Sequence, residues 1–446
     1  IIMINNKYEN IFKKDRIYSS IFSELDTKSS ITDEQRYFLY AFAPSVLEFA
    51  RWILNSAMNN GHKRIYFLAR DGYYPYIAAT QLCQAMEYDI ECKYLSLSRY
   101  SLRIPEFHLM KEQCVDRICL GGIDVTFEKV MKRAGLTDAE CLSIAKECGY
   151  KDSMHDILSY STIMELKPVL RSNKHFLKMV YSHSEHAYSD TISYLRQEGL
   201  FDGLSFAIAD SGWIGSIQQS LKNLIHSVNP SINFEGYYFG LYDLPDKASA
   251  SNYHAFYFGP GNHILRKMRF CNCLYEAVLS APEGMTVSYE CTDNTYRPVL
   301  ADRFNVNHDL IKYNQQALQM FLDVVISKKE FLSYTCPSLS GRLLECLMAS
   351  PDITEAAYWG NLIFSDDVID YRSQRVARPL TDEDIRNQRI FNKILNMLGL
   401  KHDTIHESAW IEGSIVLGHN RRTDMLHAHM YKFLVYLKKY IKWVIK

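Results

Sequence analysis

The stretch K-R-I-Y-F-L-A-R-D-G-Y-Y at positions 63–74, followed after a helical run by E-C-K-Y-L-S-L-S-R-Y-S-L-R at 91–103, decides the fold class. Residues 65–69 are a short, almost wholly apolar run of β-formers, which predicts a strand buried on both faces of a parallel sheet. The run stops at Arg70, Asp71 and Gly72, which therefore fall at the carboxyl end of a strand, where open α/β sheets bind ligands. Residues 76–86 carry apolar side chains at helical spacing, and 92–97 read as a second buried strand ending at Ser98 and Arg99. This βαβ unit puts two guanidiniums and a carboxylate on one rim, a set suited to a phosphorylated ligand.

Upstream, Thr32 or Asp33 caps a long helix whose apolar positions Phe38, Phe42, Val46, Phe49, Ile53 and Met58 keep helical spacing until Asn59, Asn60 and Gly61 end it. The α-β-α-β order is the rhythm of a doubly wound sheet. Residues 1–30 are polar and aromatic without clear period and read as a loosely packed N-terminal extension. Residues 107–173 break into short helical pieces with turns at Gly121-Gly122, Gly135 and Gly149, an inserted helical cap that either shapes an acceptor pocket or serves as a packing module. A long amphipathic helix at 174–199 follows.

A second constellation begins with S-F-A-I-A at 205–209, a buried strand, and runs through D-S-G-W-I-G-S at 210–216 into a helix. Read as a Gly/Ser-rich turn before a helix N-terminus, Ser211, Gly212, Trp213, Gly215 and Ser216 offer backbone N–H groups and a favourable dipole to an anion. The alternative is a plain tight turn. Aromatic-rich strands are expected at 234–240 and 253–258, with an exposed connection between them. Arg266, Lys267 and Arg269 form a charge cluster that reads as a solvated face ahead of a substrate contact. Glu276 lies on a short apolar helix before a turn at 281–284, and 287–289 with 297–300 suggests a hairpin.

Beyond residue 301 the pattern is helical, at 308–326, at 384–398 and finally at 430–446. In that last helix Met430, Phe433, Leu434, Leu437, Ile441, Val444 and Ile445 share a face, with Lys432, Lys438, Lys439, Lys442 and Lys446 mostly opposite. Such a helix either docks on the core with its lysines solvated or lies on an anionic membrane surface. The expected architecture is α/β: a mostly parallel sheet with flanking helices over residues 31–300, the helical insert at about 107–173, and a helical C-terminal region over 301–446.

Composition narrows the partners. The 446 residues suit one large domain with additions or two domains, and 47% hydrophobic with 13% aromatic content is that of a folded protein. A formal net charge of -1 makes nucleic acid a poor partner. The 11 cysteines contain no C-x-x-C pair, so reduced thiols in the cytoplasm are the expectation, and no apolar run is long enough to span a bilayer. No D-x-D-x-[TV], G-x-S-x-G or H-E-x-x-H occurs, which disfavours an aspartyl-phosphate phosphatase, a serine hydrolase and a zinc peptidase.

Four motifs, F-L-A-R-D-G-Y (67–73), L-S-R-Y-S-L-R (97–103), A-D-S-G-W-I-G-S-I-Q (209–218) and E-A-V-L-S-A-P-E-G (276–284), resemble the glycan phosphoribosyltransferase module of bacterial polysaccharide ribofuranosyltransferases, a family often labelled as haloacid-dehalogenase-like hydrolases. The resemblance spans roughly residues 35–300. It implies transfer of ribose 5-phosphate from phosphoribosyl diphosphate to a lipid-linked or oligosaccharide glycan acceptor, in O-antigen or capsule synthesis. Fuller members carry a phosphatase domain ahead of these motifs; its signature is missing here, so a separate phosphatase is expected to remove the 5-phosphate.

The implied donor has two anionic ends, and the chain offers two anion-binding devices: the turn at 212–216, and the guanidiniums of Arg70, Arg99 and Arg103 beside Gly72, Tyr73 and Ser98. Asp71, then Asp210, is the candidate general base; either is equally a ligand for a Mg²⁺ ion bridging the diphosphate. Glu276 joins the substrate-binding set. Displacement at the anomeric carbon would invert it. The rival readings are a nucleotide-sugar glycosyltransferase of the same pathway, a haloacid-dehalogenase-like phosphohydrolase, and a non-catalytic module that binds a phosphorylated ligand. The expected location is the cytoplasm, at the inner face of its membrane if the terminal helix touches lipid.

Overall fold

In the computed structural model, which describes residues 2–28, 31–121, 125–246, 248–364, 374–397, 408–418 and 422–445, strand β1 (Arg64–Leu68) is buried at every position. Its neighbours are β2 (Glu91–Leu95) on one side and β3 (Phe206–Trp213) on the other, and β4 (Glu235–Leu241) and β5 (Tyr253–Phe258) complete a sheet of order β2-β1-β3-β4-β5. Every pairing in it is parallel. Strand order reverses beside β1, so the carboxyl ends of β1 and β3 flank a topological switch point, the crevice in which open α/β sheets bind ligands.

Alternate side chains build two different cores, as a strand covered on both faces requires. Ile65, Phe67, Ala207, Tyr237 and Phe239 face the helices Ala43–Asn59 and Tyr73–Met86. Tyr66, Leu68, Phe206 and Ile208 face the helices Lys174–Gln197 and Ser216–Val228 through Leu195, Leu221 and Leu224. β2 departs from expectation: it is a half-buried edge strand, and it stops at Leu95 because Ser98 caps a helix, Arg99–Met110, that begins at once.

The helix expected at 33–58 is two helices, Asp33–Ala41 with a Thr32 capping box and Ala43–Asn59, broken at Phe42 where Pro44 enters the first turn of the second. Proline lacks an N–H and is tolerated there but not in a helix interior. The reading of residues 1–30 as loosely packed is corrected. Helices Ile2–Phe12 and Arg16–Asp26 bury Tyr8, Phe12, Tyr18, Ile21, Phe22 and Leu25. The Tyr8 hydroxyl donates to buried Glu355 at 2.5 Å, Lys7 pairs with the same carboxylate, and the Tyr18 hydroxyl donates to buried Glu48 at 2.8 Å. The periodicity was hidden because each helix is only three turns long and its buried face includes tyrosines, whose hydroxyls need these distant carboxylates.

The insert holds a core of its own, with Phe107, Val115, Phe127, Met131, Ile144 and Leu170 among its buried members. Gly135 and Gly149 turn with positive φ as expected; Gly122 lies outside the described residues. The hairpin is present as β6 (Thr286–Thr292) and β7 (Thr295–Leu300), joined by Asp293 and Asn294, both at positive φ, as a two-residue hairpin turn requires. Tyr289 of β6 stacks on Tyr194 with ring centroids 4.2 Å apart. The C-terminal helices close the first core: Phe321, Leu343, Leu344, Trp359 and Trp410 belong to the same cluster as Ile65 and Phe67. The 384–398 expectation resolves into Asp382–Gln388 and Ile390–Met397, with Leu398 outside the described residues. No described helix is long and apolar enough to cross a membrane.

Candidate functional site

Arg70 and Asp71 leave β1 in a turn so tight that a Cβ on Gly72 would lie 2.6 Å from the Leu68 carbonyl oxygen, and the Gly72 amide donates to that oxygen at 2.8 Å. Glycine at 72 is therefore a steric requirement, and it throws the Asp71 side chain toward β3. There the Ser211 hydroxyl donates to Asp71 Oδ2 at 2.5 Å. Asp210 is buried next to it, and Trp213 reaches from the end of β3 to donate its indole N–H to Glu276 on helix Asn272–Leu279.

Three carboxylates thus converge on the carboxyl rim of the sheet. Burial pushes Asp71 up, opposed by the Ser211 hydroxyl and by Arg70 and Arg99. Burial and then the Asp71 charge hold Asp210 well above the usual carboxylate range. Burial, again followed by Asp71, pushes Glu276 up to about 7, against the pull of Arg99, Trp213 and Arg70. Like charges this close resist simultaneous ionisation.

Arginines face it. Arg70, Arg99 and Arg103 have no side-chain hydrogen bond or ion pair among the described residues, and neither does Arg117, which the insert contributes. Burial, followed by the charges of Arg99 and Arg117, pushes Arg103 down to about 10, with Glu106 opposing them and Arg133 adding to them. Guanidiniums left without acceptors beside one another are the arrangement that an anion completes. Arg117 and Glu106 carry no local signal in the sequence; both are ordinary helical positions whose charges act on Arg103 in the folded chain.

Several expected site residues are used otherwise. The Ser98 hydroxyl accepts from the Ser101 amide at 3.0 Å and donates to the Thr286 carbonyl at 2.7 Å, so it fixes the start of helix Arg99–Met110 and ties it to β6. Tyr73 packs edge-on against Tyr94, whose hydroxyl donates to Glu283 at 2.6 Å. The cradle expected at 212–216 is corrected: β3 continues through it, with Gly212 opposite Gly240 and Trp213 opposite Leu241 on β4. The open turn shrinks to Ile214 and Gly215, and helix Ser216–Val228 starts at Ser216. Only that first turn keeps free backbone donors. The ring of Trp213 is walled in by Tyr242, Phe258, Phe270 and Tyr275, which leaves its N–H, not its face, to the site. The cluster at 266–269 is structural: Arg266 donates to the Tyr257 carbonyl, Lys267 to that of Pro260, and Arg269 pairs with Glu345.

Among the described residues no group of three or more His, Cys, Asp or Glu side chains is arranged to hold a metal ion. A Mg²⁺ ion that bridges a diphosphate takes only one or two protein carboxylates, the rest of its shell being phosphate oxygen and water. Asp71 and Asp210, neighbouring hard oxygen donors, fit that lesser demand. No protein-family model matches the chain, and no curated protein matches it.

Proposed function

We propose that this chain is a glycosyltransferase that moves ribose 5-phosphate from phosphoribosyl diphosphate to a hydroxyl of a glycan acceptor and releases diphosphate. The observation that carries the reading is the meeting of Arg70 and Arg99, which have no side-chain partner among the described residues, with Asp71, Asp210 and Glu276 at the sheet's switch point, with Arg103 next to Arg99. The guanidiniums bind the donor's anionic ends. Asp71 and Asp210 would hold Mg²⁺, which when bound would supply positive charge for the departing diphosphate. In the transfer, the acceptor oxygen bonds to the anomeric carbon of ribose as the carbon–oxygen bond to diphosphate breaks and the diphosphate keeps the electron pair. The hydroxyl proton passes to Glu276, whose affinity for a proton near neutral pH suits a general base and whose orientation is set by Trp213. Attack opposite the leaving group inverts the anomeric centre. A lipid-linked acceptor places the reaction at the inner face of the cytoplasmic membrane, and a separate phosphatase removes the 5-phosphate.

Calorimetric titration with phosphoribosyl diphosphate and Mg²⁺ tests this. Micromolar binding is expected, and Arg70→Ala and Arg103→Ala should each weaken it by about tenfold or more, the worth of a charge-assisted hydrogen bond. Binding of a nucleotide sugar with none of phosphoribosyl diphosphate overturns the reading.

A further inference from the structure

The C-terminal helix Arg422–Ile445 docks by the face opposite its apolar stripe. Its Lys432 ammonium donates to the fully buried Glu412 carboxylate at 2.7 Å, Tyr436 stacks on Tyr242 with centroids 5.4 Å apart, and Trp443 lies so close to Gly261 that a Cβ there would sit 2.6 Å from the indole. Advancing 100° per residue, Ala428, Lys432, Tyr436 and Trp443 form one stripe, which is the docked side. Leu426, Met430, Leu434, Ile441, Val444 and Ile445 fall on the other side and are between 45% and 80% exposed. Among the described residues neither the sheet nor the helical region covers them. A helix held this way inverts the usual arrangement, in which the apolar face is buried against the fold.

The charges around the stripe say what covers it. Lys438 and Lys442 are exposed along the same helix, while Lys439 lies on the docked side over the rings of Tyr242 and Tyr436. Between Met425 and Ile445 there is no Asp or Glu, and the one acidic residue before them, Asp424, is buried and paired with Arg389. A second copy of the chain seated on this face would set lysine rows against each other. An anionic lipid surface attracts the lysines and takes up the apolar side chains, and a 24-residue helix of about 36 Å offers both along one line.

We infer that this helix is a peripheral membrane anchor, which lays the stripe from Leu426 to Ile445 into the headgroup boundary of an anionic bilayer. The inference is independent of ribosyl transfer, because donor binding is measured without lipid. Flotation of the full chain with phosphatidylcholine vesicles, with and without phosphatidylglycerol, is the test. Flotation is expected only with phosphatidylglycerol present. It should fall by more than about tenfold in a Leu434→Glu/Ile441→Glu variant, which loses two buried apolar side chains. A fall of about tenfold or more is also expected in Lys438→Glu/Lys442→Glu, given roughly 1 kcal/mol for each lysine near such a surface. All four positions are solvent-facing or rim positions, so the variants should melt at the wild-type temperature. Failure of the wild-type protein to float with anionic vesicles overturns the inference. So does a dimer that Leu434→Glu/Ile441→Glu dissociates, because the face then belongs to a second copy.

Discussion

Glu276→Gln is expected to stop transfer and, at the same time, to make the protein more resistant to heat at pH 8. As the proton acceptor, the carboxylate accounts for about a hundred- to ten-thousandfold of the rate. The amide keeps an oxygen for the Trp213 N–H, so the loss is chemical and the fold is preserved. The stability effect follows from linkage. Burial and the Asp71 charge raise Glu276 from its ordinary 4.5 to about 7 in the folded protein. A folded-state value above the unfolded one contributes stability that is fully present below about 4.5 and is lost as pH rises through 7. Ionised Glu276 is therefore a burden of at most about 3 kcal/mol at pH 8, and glutamine removes it. Thermal unfolding in metal-free buffer at pH 5 and pH 8 is the check. The variant's advantage should be small at the lower pH and several-fold larger at the higher. An equal or lower melting temperature at pH 8 would mean that Glu276 is not a strained carboxylate.

Gly212→Ala should abolish soluble, folded protein. Gly212 has φ of +134°, and a Cβ there would lie 2.0 Å from the Gly240 carbonyl oxygen on β4. That oxygen cannot yield, because Gly240 is itself pressed by Phe258, whose ring would stand 2.7 Å from a Cβ at 240. The clash falls between two central strands, and a cost above about 4 kcal/mol is expected from forbidden backbone and overpacking together. Denaturant titration of whatever protein is recovered measures it; a wild-type midpoint would refute the argument. The same crowding explains the site: β3 and β4 approach closely at the glycine pair, which delivers Trp213 to Glu276 and Ser211 to Asp71.

The residues that announce themselves in the sequence are those at the ends of apolar runs. Arg70 and Asp71 after β1, and Asp210 and Ser211 in β3, were legible because burial on both faces leaves a local, uninterrupted apolar signature and the polar residues stand where it stops. D-S-G-W-I-G-S looked like a loop because glycine and serine usually mark turns. Here Gly212 serves close strand approach and Ser211 a side-chain hydrogen bond, and the segment stays in the sheet. Ser98 reads as a ligand contact because it stands at the end of an apolar run, while its hydroxyl holds a helix cap.

By itself the sequence determined the parallel α/β layout, the rim on which Arg70, Asp71 and Asp210 stand, and the amphipathic character of the last helix, because each is written in the period of neighbouring residues. Tertiary structure alone decided that Glu276 takes the Trp213 N–H, that Arg117 of the insert joins Arg103, that residues 7–26 belong to the core, and that the last helix docks by Lys432 and Tyr436 with its leucines outward. Periodicity tells which face of a segment is apolar. Which partner that face meets depends on contacts between residues far apart in the chain, such as the buried Glu412 that draws Lys432 inward.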